Sequence, residues 1–254
     1  MNKTKQSGVY AVAAFTWGLL SALLLWQLLS WLIASPALPS PMASIKACIE
    51  FYPELNAHLF VSLYRVSLSL VLGLLIGYPL ALFTARNPWI DKVFAPFLYI
   101  VYPIPKVVFL PVLFVLLGIA DAPKIALITL TIAFQVTVTQ RDALQHIDES
   151  LILSARSMGA NKCQLYTQVY IPASLPALFT ALRITCGTAI AVLFISESVA
   201  GTTGLGYYIV NAWGLVNYPQ MFAGILYMSV LGLIMYELIH VFEFFACGNK
   251  YKRS

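Results

Sequence analysis

The residues able to carry out chemistry are few and scattered along this 254-residue chain. The sequence contains no G-x-x-x-x-G-K-[ST] loop for ATP phosphates, no H-E-x-x-H and no G-x-S-x-G. Its four cysteines form no C-x-x-C pair and no metal-ligand spacing with histidine: Cys48, Cys163, Cys186 and Cys247. We therefore predict that the chain has no catalytic residue and binds neither a metal nor a cofactor.

The remaining candidates are polar groups inside long apolar stretches, and Lys106 is the first of them. A lysine near the bilayer centre costs ~2.5–3.5 kcal/mol on insertion scales, so its ammonium must face protein or water. It either lines a translocation pathway and attracts anions, or it binds backbone carbonyls that Pro103, Pro105 and Pro111 release. The residues leave both interpretations open.

Three more ionisable or polar residues occupy apolar stretches. Arg65 is expected near the outer end of its stretch, where its long stem can reach water. Glu197 precedes a glycine-rich segment and acts either as a gate or binding-protein contact, or in a salt bridge at a helix end, which is the favoured interpretation. Gln135 lies in the least apolar stretch. We include Gln135 and Glu197 with Lys106, Pro103 and Pro105 as the candidate translocation pathway.

Composition identifies the elements that must position these groups. The chain is 60% hydrophobic and 10% charged, whereas soluble domains carry about 25% charged residues. Because a spanning helix needs about 20 apolar residues, we predict six spans: 9–33, 59–85, 93–118, 123–140, 173–200 and 219–246. The first is longer than a signal-peptide core of about 7–15 residues, so we expect it to remain uncleaved. The net charge of +5 is scattered, which excludes a nucleic-acid patch.

The distribution of basic residues predicts the orientation. With the N-terminus inside, the outer side carries two basic residues, Lys46 and Lys124. The inner side carries ten: Lys3, Lys5, Arg86, Lys92, Arg141, Arg156, Lys162, Lys250, Lys252 and Arg253. This positive-inside bias predicts that both termini are cytoplasmic. Residues 42–58 are then expected to lie along the outer membrane surface.

The polar segment 151–176 lies between the fourth and fifth spans, on the cytoplasmic side. Leu151, Ala155 and Met158 are spaced to share one face of an amphipathic helix. Gly159 is placed to end or bend that helix, and Pro172 suits the start of the next one. The simplest interpretation is an ordinary interfacial helix.

The same segment resembles the cytoplasmic signature of ABC importer permeases, which reads EAA, three residues, G, nine residues, then I-x-L-P. Counted from Gly159, Pro172 matches the final proline and Leu153-Ser154-Ala155 matches EAA. Leu153 therefore replaces the glutamate, which removes any contact made by the acidic side chain. The sequence Ala155-Arg156-Ser157-Met158-Gly159-Ala160 is similar to the form found in the nitrate/sulfonate/taurine group.

Other pieces of the chain resemble the same group in the same order. They are Leu38-Pro39-Ser40-Pro41, Ser62-Leu63-Tyr64-Arg65, Tyr102-Pro103-Ile104-Pro105-Lys106 with Pro111 and Gly118, and Glu197 with Gly204-Leu205-Gly206. The resemblance implies an all-α membrane protein of about six transmembrane helices with a type I importer permease core. We place that core at 59–246 of a single 1–254 domain, with 1–35 as an additional N-terminal span.

The resemblance also implies a function and partners. The chain is expected to be the transmembrane subunit of an importer in the bacterial inner membrane, without an ATPase site. Expected partners are two cytoplasmic ATPases that bind ATP and Mg²⁺, a second permease copy in a homodimer, and a periplasmic or lipid-anchored binding protein. The residues that match the signature form the expected ATPase-coupling loop: Leu153, Ser154, Ala155, Arg156, Ser157, Met158, Gly159, Ala160 and Pro172.

The resemblance leaves the cargo open among sulfonates, taurine, nitrate and vitamin precursors. The alternative function is an ion-coupled secondary transporter. Such a protein needs its own ion-coupling groups and often carries an internal repeat, and neither is evident in the sequence.

Overall fold

A computed structural model describes residues 3–248 of the chain, with side chains from residue 16 onward. Lys3, Lys5, Lys250, Lys252 and Arg253, which contribute to the predicted orientation, lie outside the described side chains. The described part is almost entirely helical and contains no strand. Its helices are α1 (Lys3–Ile33), α2 (Pro41–Glu50), α3 (Tyr52–Arg86), α4 (Pro88–Val101), α5 (Leu110–Leu117), α6 (Asp121–Gln145), α7 (Glu149–Ser157), α8 (Lys162–Leu165), α9 (Ile171–Val199), α10 (Leu205–Gly214) and α11 (Tyr218–Cys247). A 3₁₀ turn at Lys106–Phe109 precedes α5, and a π turn at Tyr166–Tyr170 precedes α9.

Side-chain caps followed by proline start several of these helices. Ser40 accepts the N–H of Ala43 at the start of α2, and Asn87 accepts two N–H groups at the start of α4. In each case proline occupies the first turn, where its missing N–H has no cost. These local signals explain why the breaks between apolar stretches are readable from the sequence.

The core forms where α6 packs between α3 and α9. Gly73 and Gly77 permit the close approach of α3 to α6. A Cβ on Gly73 would lie 2.6 Å from Ile132 Cγ2, and a Cβ on Gly77 would lie 2.6 Å from the Ala133 carbonyl oxygen. α6 is the most enclosed of these membrane helices, since 56% of the residues in its most apolar 18-residue stretch are buried inside the chain. It is also longer than the predicted 123–140 span. Hydroxyls of Thr131 and Thr137 bond back to carbonyls one turn earlier, which satisfies their polarity within the helix.

The third predicted span, 93–118, is not one continuous helix. Within the part of the chain that the structure describes, five helices are long and apolar enough to cross a membrane, and α4 with the Lys106–Leu117 segment forms a sixth, broken candidate bent by 87°. The bend coincides with Pro103 and Pro105, whose nitrogens cannot donate to a helix. The prediction of about six spans is therefore confirmed, and the third is interrupted at the prolines that the sequence places in its middle.

The N-terminal part of the chain surrounds this core loosely. None of residues 16–33 in α1 is buried against the rest of the chain. Trp26 fixes α1 by stacking on Phe222 with ring centroids 5.4 Å apart and by donating its indole N–H to the Pro39 carbonyl. The predicted surface segment 42–58 is only partly a separate element. It contains α2, but α3 already begins at Tyr52.

Candidate functional site

The segment between α6 and α9 consists of two short helices joined at Gly159. Asp148 caps α7 by accepting the N–H of Ser150, and this hydrogen bond lowers the pKa of the exposed carboxyl group. Gly159 has φ +84°, a left-handed conformation that glycine adopts without steric cost. Asn161 and Gln164 then form a reciprocal capping box that starts α8. Local sequence thus determines a helix, a fixed bend and a second helix.

One side of this segment is anchored to the ends of α3 and α6. Ile152 and Ala155 of α7 are buried with Leu165 and Tyr170. These four side chains pack in one cluster with Ala81 of α3 and Leu144 of α6. α7 and α8 are therefore packed directly against two central membrane helices.

The buried face of α7 differs from the predicted one. Of the predicted face, Ala155 is buried, but Leu151 is 53% exposed and Met158 82% exposed. The inward face is instead centred on Ile152 and Ala155, so Ile152 rather than Leu151 points towards the bundle. Because Leu153 is also 54% exposed, α7 presents three large apolar side chains outward. Exposed apolar residues that cluster on one short element are typical of protein interaction sites.

The other predicted loop residues occupy defined positions around this apolar surface. Ser154, Arg156, Ser157 and Gly159 are exposed, and Ala160 is half-buried. Pro172 is exposed in the first turn of α9. The structure thus brings Leu153–Ala160 together on α7 and its following turn, while α8 and the π turn separate them from Pro172.

Sequence reasoning missed the groups that hold this segment against the bundle. The guanidinium of Arg86 lies 4.1 Å from the centre of the Tyr170 ring and donates a 2.5 Å hydrogen bond to the Leu144 carbonyl. Asp91 of α4 binds Arg141 of α6 at 2.6 Å. A cavity of about 390 Å³ lies between these groups and α7. No local pattern indicates the Arg86–Tyr170 contact, because the two residues are far apart in sequence.

A second cluster lies at the opposite ends of the helices, around Arg65 and Glu197. Arg65 is 1% exposed and Glu197 is 0% exposed. Arg65 Nη1 donates to a Glu197 oxygen at 2.7 Å, and Nε donates to Asp121 at 2.8 Å. Its other three N–H groups bond to the Thr203 carbonyl, the Thr203 hydroxyl and, a second time, Asp121. All five donors of the guanidinium are therefore used within the chain.

The same glutamate holds the glycine-rich segment that follows α9. Glu197 accepts hydrogen bonds from the Ser62 hydroxyl and the Gly206 N–H, both at 2.9 Å. A side chain at Gly206 has no room, since its Cβ meets the Phe194 carbonyl at 2.6 Å. The G-L-G sequence thus has a structural reason: its backbone closes over a buried carboxylate.

These placements change two expectations. Arg65 does not extend to water but is enclosed in an ionic network. Glu197, a candidate pathway residue, is sealed inside the chain, which favours the salt-bridge interpretation of its role. The physical reason is that each side chain satisfies the other's charge, which removes the need for solvent.

The Lys106 ammonium is held by backbone oxygens at the broken span. Nζ donates to the carbonyls of Val101, Tyr102 and Ile104 at 2.7, 2.8 and 2.9 Å, and the residue is 9% exposed. Pro103 and Pro105 are exposed in this chain, and Gln135 is half-buried. The geometry matches the carbonyl-binding interpretation of Lys106. A pathway role for these residues stays a prediction.

Replacement of Lys106 by methionine is expected to destabilise the broken span. Three carbonyls lose a charged donor, and hydrogen bonds to charged groups contribute about 1.5–3 kcal/mol each. The free energy of unfolding in mixed micelles should therefore fall by at least the contribution of one such hydrogen bond. Lys92→Met, at an exposed lysine, serves as the control. A loss no larger than that of the control contradicts the carbonyl-binding role, and a loss of anion uptake at unchanged stability supports the pathway role.

Comparisons with known proteins agree with this architecture. A sequence profile of the family described as "Binding-protein-dependent transport system inner membrane component" matches residues 69–244. The chain is 29% identical over 178 residues to the taurine transport system permease protein of Escherichia coli (strain K12), covering 70% of this chain and 65% of that protein. It is 27% identical over 226 residues to the formylaminopyrimidine transport permease protein of Halalkalibacterium halodurans, covering 88% and 90% respectively.

Among solved structures, a chain of the inward-facing MetNI methionine ABC transporter has a similar fold. The superposition has a TM-score of 0.65 at 23% sequence identity and covers 78% of this chain and 98% of that chain. This similarity shows the fold, and it confirms the predicted importer-type arrangement of the helices.

Proposed function

From the premise that the chain belongs to the family of binding-protein-dependent transport system inner membrane components, we propose that residues 148–172 couple solute passage to ATP hydrolysis on a partner. The chain is a transmembrane subunit of an ABC importer in the inner membrane, and the family is the permease component without an ATPase site. It works with separate ATPase and substrate-binding partners. Family membership leaves no support for an ion-coupled secondary transporter.

One observation carries the coupling proposal. α7 carries apolar side chains that face the bundle, Ile152 and Ala155, and apolar side chains at its surface, Leu151 and Met158, that are exposed. An exposed apolar surface next to Gly159 fits a cleft in a cytoplasmic ATPase, and the buried side transmits the movement to α3 and α6. Leu153 gives this surface a third apolar side chain in place of the signature's acidic group.

The stoichiometry and cargo are also proposals. Two ATPases carrying ATP and Mg²⁺, with a second copy of this chain, complete a transporter in which α1 supplies an additional N-terminal span to the 59–246 core. A periplasmic or lipid-anchored binding protein delivers a small solute. The relatives named for taurine and formylaminopyrimidine support a sulfonate, taurine or vitamin precursor as cargo.

Native cysteines provide the test, because Cys163 lies exposed on α8. In a variant whose other three cysteines are alanine, a membrane-impermeant maleimide should label Cys163 in inside-out vesicles. Adding the partner ATPase should abolish most of this labelling, since docking covers α7 and α8. Undiminished labelling in a complex that still hydrolyses ATP rules out the proposed coupling surface.

Cys48 on α2 tests the orientation with both termini cytoplasmic. A variant that retains only Cys48 should be labelled in right-side-out vesicles and be unaffected by the ATPase. Burial raises the pKa of the Cys48 thiol, so its labelling should be slow at neutral pH and faster as pH rises. If Cys48 and Cys163 are labelled from the same side of the membrane, the predicted topology is wrong by one span.

A further inference from the structure

A small cavity lies beside the Arg65 network, at the end of the bundle opposite residues 148–172. Its volume is about 270 Å³, just below the roughly 300–1,000 Å³ of typical ligand pockets. It is lined by the start of α6, including Asp121 and Lys124, and by Gly201, Thr202 and Thr203 after α9. This is the end to which a binding protein delivers solute under the proposed function.

Lys124 is the unusual member of this lining. The residue is only 2% exposed, yet among the described residues no oxygen accepts a hydrogen bond from its Nζ. Gly201 makes room for the ammonium, because a Cβ on that glycine lies 2.5 Å from Nζ. The ammonium borders the cavity, so an acceptor from outside the chain can form a charge-assisted hydrogen bond with it there. The first turn of α6 also lacks a side-chain cap, and the N-terminus of a helix favours anions.

The neighbouring charged groups determine which kind of ligand fits. Arg65 has no donor left for a ligand, as its five N–H groups are already bonded. Asp121 receives both Arg65 hydrogen bonds on Oδ1, and its side chain is 50% exposed. No described donor bonds to its Oδ2. The cavity therefore offers one unused cation and one unused carboxylate oxygen.

Charge balance separates an anionic ligand from a zwitterionic one. The two cations Arg65 and Lys124 already balance Glu197 and Asp121, so a simple anion leaves a net negative charge on the cluster. A molecule with both a negative and a positive group satisfies Lys124 and Asp121 and leaves the total charge unchanged. Charge-assisted hydrogen bonds of this kind are the stronger ones.

We propose that this cavity binds a small zwitterion, an aminosulfonate or amino acid, with its anionic group on Lys124 and its ammonium on Asp121 Oδ2. The inference rests on the proposed function, and it narrows the cargo to zwitterions that meet the permease at its entrance. The exposed Thr202 hydroxyl lies in the lining and supplies a further donor to the anionic group.

Ligand titrations of the purified transporter test the site, with the shift of the thermal unfolding midpoint as the measure of binding. Taurine, which carries both charges, should bind at least tenfold more tightly than 2-hydroxyethanesulfonate or ethanolamine, which each carry one. Lys124→Met should weaken taurine binding at least tenfold. Lys46→Met, which removes the same charge from an exposed position on α2, should leave it unchanged.

A second pair of variants applies if Lys124→Met does not fold. Gly201→Ala keeps the lysine but occupies the space next to Nζ, and it should also weaken taurine binding. Gly214→Ala is the control, because its Cβ has no atom within 4 Å. Equal taurine binding by the wild type and Gly201→Ala overturns the proposal, as does equally tight binding of 2-hydroxyethanesulfonate.

The remaining outcome concerns the source of the anionic group. If Lys124→Met weakens docking of the binding protein but not taurine binding, an acidic side chain of that protein occupies the cavity and the zwitterion proposal is wrong. None of these results depends on Cys163. Protection of that cysteine by the ATPase still tests the proposed function separately.

Discussion

Replacement of Gly159 by valine is expected to lower solute uptake and binding-protein-stimulated ATP hydrolysis about tenfold or more, while the chain still folds and inserts. The reason is conformational, since Gly159 is exposed and no atom lies within 4 Å of a Cβ built there. Its φ of +84° costs an ordinary side chain about 1–2 kcal/mol, and a β-branched one is a genuine outlier. Relief of that strain rotates α7 relative to α8 and misaligns the exposed Leu153 and Met158.

A matched substitution separates conformation from chemistry at this position. Gly159→Asn adds a polar side chain of comparable size, but asparagine adopts the left-handed region more readily than other residues. It should therefore retain most of the coupling that Gly159→Val loses. Both variants should insert into the membrane, because the bend lies outside the buried cluster, but Gly159→Val should unfold at a slightly lower temperature than Gly159→Asn, because of the strain at its left-handed φ. Equal activity of Gly159→Val and the wild type contradicts the proposed role of the bend.

Replacement of Arg65 by methionine should produce the largest loss of stability, about 3–5 kcal/mol, because it leaves the Glu197 carboxylate buried without its cation. Glu197 is 0% exposed and retains only the Ser62 hydroxyl and the Gly206 N–H as donors. The segment after α9 should then detach from α3, since Thr203 also loses its contacts with the guanidinium. Thermal unfolding of the purified protein in mixed micelles measures the effect.

A double-mutant cycle tests the physical cause of that loss. Adding Glu197→Gln to Arg65→Met removes the unpaired charge, so the double variant should be more stable than the sum of the two single losses predicts. The Arg183–Glu243 pair is the control, because its side chains are 23% and 14% exposed and solvent screens the charge that remains. Strict additivity of the Arg65 and Glu197 losses contradicts a buried ionic network.

Much of the candidate site was predictable because its signals are local. The spacing from Gly159 to Pro172 predicts the coupling loop, and glycine's freedom at positive φ explains why the bend lies there. The sequence also limits Lys106 to two roles, lining a translocation pathway or binding backbone carbonyls. An ammonium within an apolar stretch has few other possible partners. The full length of α6 was missed, because its last residues, Arg141–Gln145, are mostly polar and do not continue the apolar stretch.

The sequence by itself determined the class of protein, the approximate spans and the position of the loop, because apolar length, caps, prolines and a left-handed glycine act over a few residues. Only the tertiary structure decided the inward face of α7 and the enclosure of Arg65 with Glu197. Those features depend on residues from α3, α6 and α9 that are distant in sequence. Their free energy comes from burial and charge pairing, which exist only after the helices have packed together.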